Sequence, residues 1–167
     1  MRPPPIEAAA AFGIAYRPMT DADLPFVERL YASTRAEEMA AAGWPEAMQT
    51  AFLGQQHRAQ HQHYRTAYPD TQWLIVERAG APVGRLYLSE AEGGLLLLDI
   101  SLLPGERGAG LGGAMLRDVI ADAAAAGRKL SLHVERSNPA RRLYERLGFV
   151  IADDDVVYLR MEWRKEG

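Results

Sequence analysis

Apolar and polar positions along the chain repeat with two different periods. Ile14 to Met19 predicts a strand, and after Thr20 or Asp21, either suited to a helix N-cap, Leu24, Val27, Leu30 and Tyr31 recur at helical spacing. Gly43, Trp44 and Pro45 break the pattern, and Pro45 suits the first turn of a second helix reaching about Tyr64. Met48, Phe52 and Leu53 give that helix an apolar face, but from Gln55 through Gln56, His57, Gln60, His61, Gln62 and His63 it is polar nearly all round. Three strands follow, at 71–78, 83–89 and 95–103, punctuated by turn signals at Gly80 to Pro82 and at Gly93 with Gly94. Such short connections predict an antiparallel meander. The run Leu95 to Leu98, Ile100, Leu102 and Leu103 predicts a central strand covered on both faces.

Beyond residue 107 the pattern changes. Gly108 to Gly113 opens a helix that runs through Ala126 to a stop at Gly127, and Leu130 to Glu135 returns as a strand. This strand–helix–strand unit requires parallel strands. Asn138 as N-cap, Pro139 as first helical residue and Gly148 as stop predict a two-turn helix carrying Arg141, Arg142, Leu143 and Tyr144. Phe149 to Ala152, an acidic turn at Asp153 to Asp155, and Val156 to Trp163 complete a hairpin. Neither an internal repeat nor a linker divides the chain. Residues 1–12, with their Pro run, are expected to be a disordered leader, and residues 13–167 a single domain.

Composition narrows the functions. The 167 residues are 48% hydrophobic and 25% charged, ordinary for one soluble domain, and the net charge of −3 offers no global positive field to hold a nucleic acid. Without cysteine there is no thiol nucleophile, disulfide or Cys-ligated zinc. The start of the chain lacks the apolar stretch of a signal peptide, and no apolar run approaches ~18 residues, so a cytoplasmic location without membrane contact is expected.

The densest chemical signal is RGAGLGG, Arg107 to Gly113, between a buried strand and a helix. Glycines let backbone amides approach a ligand closely, and a helix N-terminus adds partial positive charge, so the turn can cradle a pyrophosphate. A tight turn that only needs small residues is the plain alternative. Gly108, Gly110 and Gly113, with Glu135 about 20 residues on, also satisfy the dinucleotide fingerprint. However, the turn follows hairpin strands and leaves too little chain for the remaining units of that fold. A mononucleotide P-loop fails because Leu111 stands where its lysine must be.

The segments LLLLDISLLP, ERGAGLGGAML, KLSLHVE and NPARRLYERLGF together resemble the acyl-CoA-binding half of the GNAT N-acyltransferase superfamily. Arg107, Gly110 and Gly112 occupy the fixed positions of its R/Q-x-x-G-x-G/A signature. The resemblance implies an α/β (α+β layered) fold in the order βααβββαβαββ, a mixed sheet of about seven strands with helices on both faces. It further implies acetyl-CoA as co-substrate, the backbone of Ile100, Ser101 and Leu102 beside the pantetheine arm, and the amides of Arg107, Gly108, Ala109, Gly110, Leu111, Gly112 and Gly113 on the pyrophosphate. Asn138 would contact the arm. Tyr144, at the family's general-acid position, stands six residues after Asn138, where many members have seven. The implied reaction is direct acetyl transfer to a primary amine of a small molecule or peptide in a ternary complex. A CoA-binding sensor or partner-binding module without catalysis is the alternative.

A lysine-like amine is uncharged only about once in a thousand at neutral pH, so a base is expected. Asp99 on the central strand is preferred, with Glu135, Glu37 and Glu38 as other candidates. His57 and His61 share a helix face, but HRAQH lacks the zincin Glu and no fourth ligand is placed nearby, so no metal is expected. The acceptor wall is expected from the first two helices and the final hairpin, with Trp44, Gln56, Tyr64 and Tyr87 as contacts. Asp153 to Asp155 is a solvated turn or an attractor for a cationic amine. Exposed edges of the sheet would allow a homodimer.

Overall fold

The computed structural model describes residues 1–91 and 93–165; Glu92 and residues 166–167 of the expected domain lie outside the described residues. Seven strands form one sheet in the order β1-β2-β3-β4-β5-β7-β6. They are β1 (Ile14–Pro18), β2 (Thr71–Arg78), β3 (Ala81–Ala91), β4 (Gly94–Leu102), β5 (Leu130–Glu135), β6 (Val150–Asp154) and β7 (Tyr158–Trp163). The expected meander is present, since β2, β3 and β4 pair antiparallel, and only β4 and β5 are parallel. At the far end β7 lies between β5 and β6.

Period-2 alternation gives the sheet two unlike faces. Leu74, Val76, Leu86, Leu88, Leu95, Leu97, Leu130 and Leu132 meet the apolar side of α4 (Leu111–Ala125), where Leu111, Met115, Leu116 and Val119 are buried. The opposite face is covered by α1 (Leu24–Thr34), whose Phe26, Val27 and Leu30 close on Ile75. Tyr31, Met39 and Leu53 then join α1 to α2 (Ala36–Ala42) and α3 (Glu46–Ala67). The α2 helix is an addition to the expected order: its AEEMAAA run has high helix propensity but a single buried apolar residue, Met39.

The leader is ordered, which corrects the expectation for residues 1–12. Ala8–Phe12 forms a 3-10 helix against α4, with Ala9 fully buried. The amides of Glu7, Ala8 and Ala9 all donate to the carboxylate of Asp118 on α4, at 2.6–3.1 Å. One buried carboxylate therefore satisfies the free amides of a helix start, which alanine-rich sequence alone could not hold. The last short helix, α5 (Arg141–Arg146), begins two residues later than expected. Asn138 is therefore not its cap: the N-cap is Ala140, and Asn138 Oδ1 accepts from the Ala140 amide at 2.9 Å in the turn ahead of the helix.

Candidate active site

The site starts from a defect in the sheet. Only Leu95, Leu96 and Leu97 of β4 pair with β5, opposite Leu130, Ser131 and Leu132. At that point a bulge interrupts the other side of β4: Tyr87 pairs with Asp99 and Leu88 with Leu97, which leaves Leu98 as the extra residue. A bulge bends its strand. From Leu98 on, β4 follows β3 alone and β5 follows β7 alone, so a gap opens between them. Burial records the same opening, with Gly94 to Leu97 buried and Leu98 to Ser101 half-exposed. The backbone of Ile100, Ser101 and Leu102 thus has one free edge, as a strand needs in order to accept an extended ligand.

At the end of β4 the chain turns through Pro104–Glu106 into the glycine turn. Gly108 and Gly110 hold φ of +80 and +94, conformations that an L side chain rarely adopts. Among the described residues the amides of Gly108, Ala109, Gly110, Leu111, Gly112 and Gly113 have no hydrogen-bond partner. They form the N-terminus of the fifteen-residue α4, and Arg107 to Gly110 are exposed. Unfilled donors at a helix start suit an anion. Arg107 itself turns back: its Nε donates to the Leu102 carbonyl at 2.9 Å and its Nη2 to Ser33 Oγ at 3.1 Å, fixing the turn to the end of β4. Phe12 packs against Gly110 from the other side, and its carbonyl accepts from Arg78 Nε, whose guanidinium also pairs with Glu106.

Tyr144 projects from α5 and is 9% exposed, with its ring edge-on to Phe149 at 5.8 Å. Burial first, and then the charge of Asp99, push its phenol up to about 12, so it carries its proton at neutral pH. Asp99 lies at the bulge on the opposite face. Its carboxylate meets Arg85 Nη2 at 2.8 Å and accepts from Ser101 Oγ. Arg85, on β3, is 2% exposed, stacks over the Tyr87 ring at 4.9 Å and also donates to Gln60 Oε1 at 3.2 Å. Sequence patterning does not single out Arg85. Its position in an apolar strand, on the same face as Tyr87 and Asp99, was the available signal.

The polar half of α3 divides by face. Gln55, Gln56, Gln62 and His63 are exposed, whereas His57 is buried and Gln60, His61 and Tyr64 lean on the sheet. His57 stacks near Tyr31 and His61, and desolvation with nearby Arg85 lowers its pKa to about 4. His63 instead turns toward Tyr64 and Tyr68, so the three histidines do not converge. Tyr64 donates to the Leu98 carbonyl at 3.4 Å, directly at the bulge. Tyr87 is fully buried under Trp73, a core position, and Trp44 packs on Phe52 at 38% exposure. Of the other carboxylates, Glu38 and Glu135 both lie against Arg35, at 3.0 and 3.6 Å, and Glu37 is exposed on α2. Asp154 pairs with Arg136, while Asp153 and Asp155 each accept from the following amide in the turn. Asn138 lines an open hollow of about 540 Å³ with Arg136, Arg141 and Arg142.

No helix among the described residues is long and apolar enough to cross a membrane. No curated protein matches the chain in sequence. In structure it is similar to the PaiA N-acetyltransferase of Thermoplasma acidophilum, solved with coenzyme A: 18% identity, 91% of this chain and 99% of that one covered, TM-score 0.66. It is also similar to the spermidine N-acetyltransferase of Vibrio cholerae, solved with CoA and spermine, at 19% identity, 92% and 96% coverage and TM-score 0.62. A Salmonella typhimurium acetyltransferase solved with acetyl-CoA matches at 18% identity, 92% and 95% coverage and TM-score 0.55. These likenesses show a shared fold. The model of the acetyltransferase (GNAT) family matches residues 28–149, from α1 across the opened strands and the glycine turn to the end of α5, and the chain belongs to that family.

Proposed function

We propose that this acetyltransferase moves an acetyl group from acetyl-CoA to a primary amine of a small molecule or peptide, by direct attack in a ternary complex. The supporting observation is one strand that joins two features, a β4 edge left open after Leu97 and, past its end, a helix start with unpartnered amides; the buried, protonated Tyr144 on α5 is consistent with it. The fit is good. The amides of Gly108 to Gly113 suit a pyrophosphate, Arg107 braces their turn, and the free edge of Ile100 to Leu102 suits an amide-bearing arm. Asn138 Oδ1 is taken up by the Ala140 amide, so its contact to the arm falls to the side-chain NH2.

Attack by the amine breaks the thioester C–S bond and forms the amide, so the departing sulfur needs a proton and the incoming ammonium must lose one. Tyr144 gives its phenolic proton to the sulfur. Asp99 takes the amine's proton through water, with Arg85 and Ser101 holding its carboxylate at the bulge. The absence of cysteine and of any activated serine arrangement in the sequence fits transfer without a covalent enzyme intermediate. The reading places the chain in the cytoplasm, where acetyl-CoA and free amines are available.

The test is a thermal-shift comparison of acetyl-CoA, CoA and NAD, followed by detection of free thiol with pooled amines. A rise in Tm with both CoA species and thiol release supports the proposal. Stabilisation by CoA without thiol release would make the chain a CoA-binding module, and stabilisation by NAD alone would make it a nucleotide-cofactor protein.

A further inference from the structure

We infer that Phe12 is a positioning residue for acetyl-CoA: its ring, on a segment clasped through Asp118 to the middle of α4, holds the glycine turn in the shape that presents its amides to the cofactor's phosphates. This rests on the function proposed above and adds a residue outside the glycine motif to the same site.

The turn needs support from outside. Glycine lets amides approach a phosphate, but its backbone also visits many other conformations, and those must be given up before the amides converge. Gly108 and Gly110 stand at φ +80 and +94, with open space where a Gly108 side chain would be, so the turn has little of its own to hold that shape. Arg107 fixes one end of it to Leu102 and Ser33. At Gly110, where α4 begins, the atom facing the backbone is Phe12 Cζ, 3.8 Å from the place of a Cβ.

Phe12 can hold the turn because it is itself held on both sides. Upstream, the Asp118 carboxylate takes the amides of Glu7, Ala8 and Ala9, and Ala9 is fully buried. Asp118 lies about two turns along α4 from Gly110, so residues 7–12 run beside the first half of that helix to its start. At Phe12 the carbonyl accepts from Arg78 Nε at 2.9 Å, and the same guanidinium pairs with Glu106, just ahead of the turn. The ring rests half-buried on the main core. A segment tied both to α4 and to the approach to the turn keeps the two from moving apart. The cofactor then meets a turn already shaped. If only a fraction of molecules held that shape, the apparent Kd would rise by the inverse of the fraction.

Titration calorimetry with CoA, and initial rates of thiol release from acetyl-CoA, are measured well below the Tm of each variant. Phe12→Ala is expected to raise the Kd for CoA and the KM for acetyl-CoA about fivefold, with kcat and the KM for the amine unchanged. Phe12→Leu, apolar against the core but too short to reach Gly110, is expected to show most of the same rise and serves where Phe12→Ala does not fold. Phe12→Met, long and flexible enough to reach Gly110, recovers at least half of the loss. Arg2→Ala removes an exposed pair with Asp122 ahead of the clasp and changes neither constant. A merely destabilised variant has less active protein at the same Kd and KM; that result for Phe12→Ala or Phe12→Leu overturns the inference and leaves the acetyltransferase reading standing. So does an equal rise in Arg2→Ala. Wild-type protein that binds CoA but releases no thiol overturns the transfer reading alone, and the Kd comparison stands. Absence of CoA binding overturns both.

Discussion

The guanidinium of Arg85 and the carboxylate of Asp99 meet at 2.8 Å on neighbouring strands, with the arginine only 2% exposed. Removing Asp99 leaves the arginine charge buried without a counter-ion, and removing Arg85 leaves the carboxylate unpaired at the bulge. Arg85→Met is expected to cost about 3–5 kcal/mol in urea unfolding. Adding Asp99→Asn to Arg85→Met is expected to cost less than the sum of the single changes. Additive costs would mean that the pair is uncoupled.

Tyr144 is held protonated by burial, with a pKa of about 12, so it contributes no alkaline limb to the rate profile at ordinary assay pH. Tyr144→Phe retains the ring against Phe149 and loses only the hydroxyl. Because a thiolate with a pKa of about 8.5 departs tolerably unaided, kcat is expected to fall roughly tenfold to a hundredfold without reaching zero, at nearly constant KM. Steady-state kinetics with saturating amine checks this, and wild-type turnover in the variant would remove the residue from the mechanism.

Gly110 sits at φ +94, with the Phe12 ring 3.8 Å from where a Cβ would stand. The space is adequate; the backbone conformation is not. Gly110→Ala is expected to cost about 1–2 kcal/mol and to raise the KM for acetyl-CoA as the amides tilt. Gly105→Ala, at a position without positive φ and with open space around it, serves as the silent control in the same melting and kinetic assays.

His57 gives a pH dependence of known sign. In the unfolded chain an imidazole binds its proton near pH 6.5, whereas in the fold burial lowers that to about 4. Between these values the unfolded state carries a proton that the folded state refuses, so stability falls as pH drops from about 6.5 to about 4. Glu162, held down to about 2 by Lys129, Arg160 and Arg164 against its burial, loses its contribution below its ordinary range, in a lower window. His57→Phe is expected to flatten the upper window alone, as read by denaturant midpoints at half-unit pH steps.

Asp118 accepts three main-chain amides, and its replacement by Asn leaves a neutral, partly mismatched acceptor. A loss of about 1–3 kcal/mol is expected, with faster hydrogen exchange confined mostly to residues 7–9. Uniformly faster exchange across the molecule would mean that the segment is no separate unit.

Much of this molecule could be read from local pattern. The meander strands, the parallel return at Leu130 and the glycine turn each carry their own signal, in alternation, in apolar runs or in residues that tolerate positive φ. What escaped depends on partners distant in sequence. Asp118 looks like any helix-surface acid until the amides of residues 7–9 arrive, and Arg85 looks out of place in its strand until Asp99 is opposite. Leu98 reads as part of a continuous apolar run because a bulge changes facing without changing composition. The A-x-x-M-A run of α2 lacked the recurring face by which the other helices announce themselves. For the site, the glycine turn and Tyr144 were visible through their motif, whereas the bracing of Asp99 became visible only with the strands in register.

The clasp at Asp118 also orders events during synthesis. Glu7, Ala8 and Ala9 precede their acceptor by 111, 110 and 109 residues. They leave the ribosome long before α4 is complete and have nothing to fold against in the interval. Residues 7–9 are therefore among the last to settle, and a nascent chain halted before residue 118 leaves their amides without the acceptor that holds them in the finished protein.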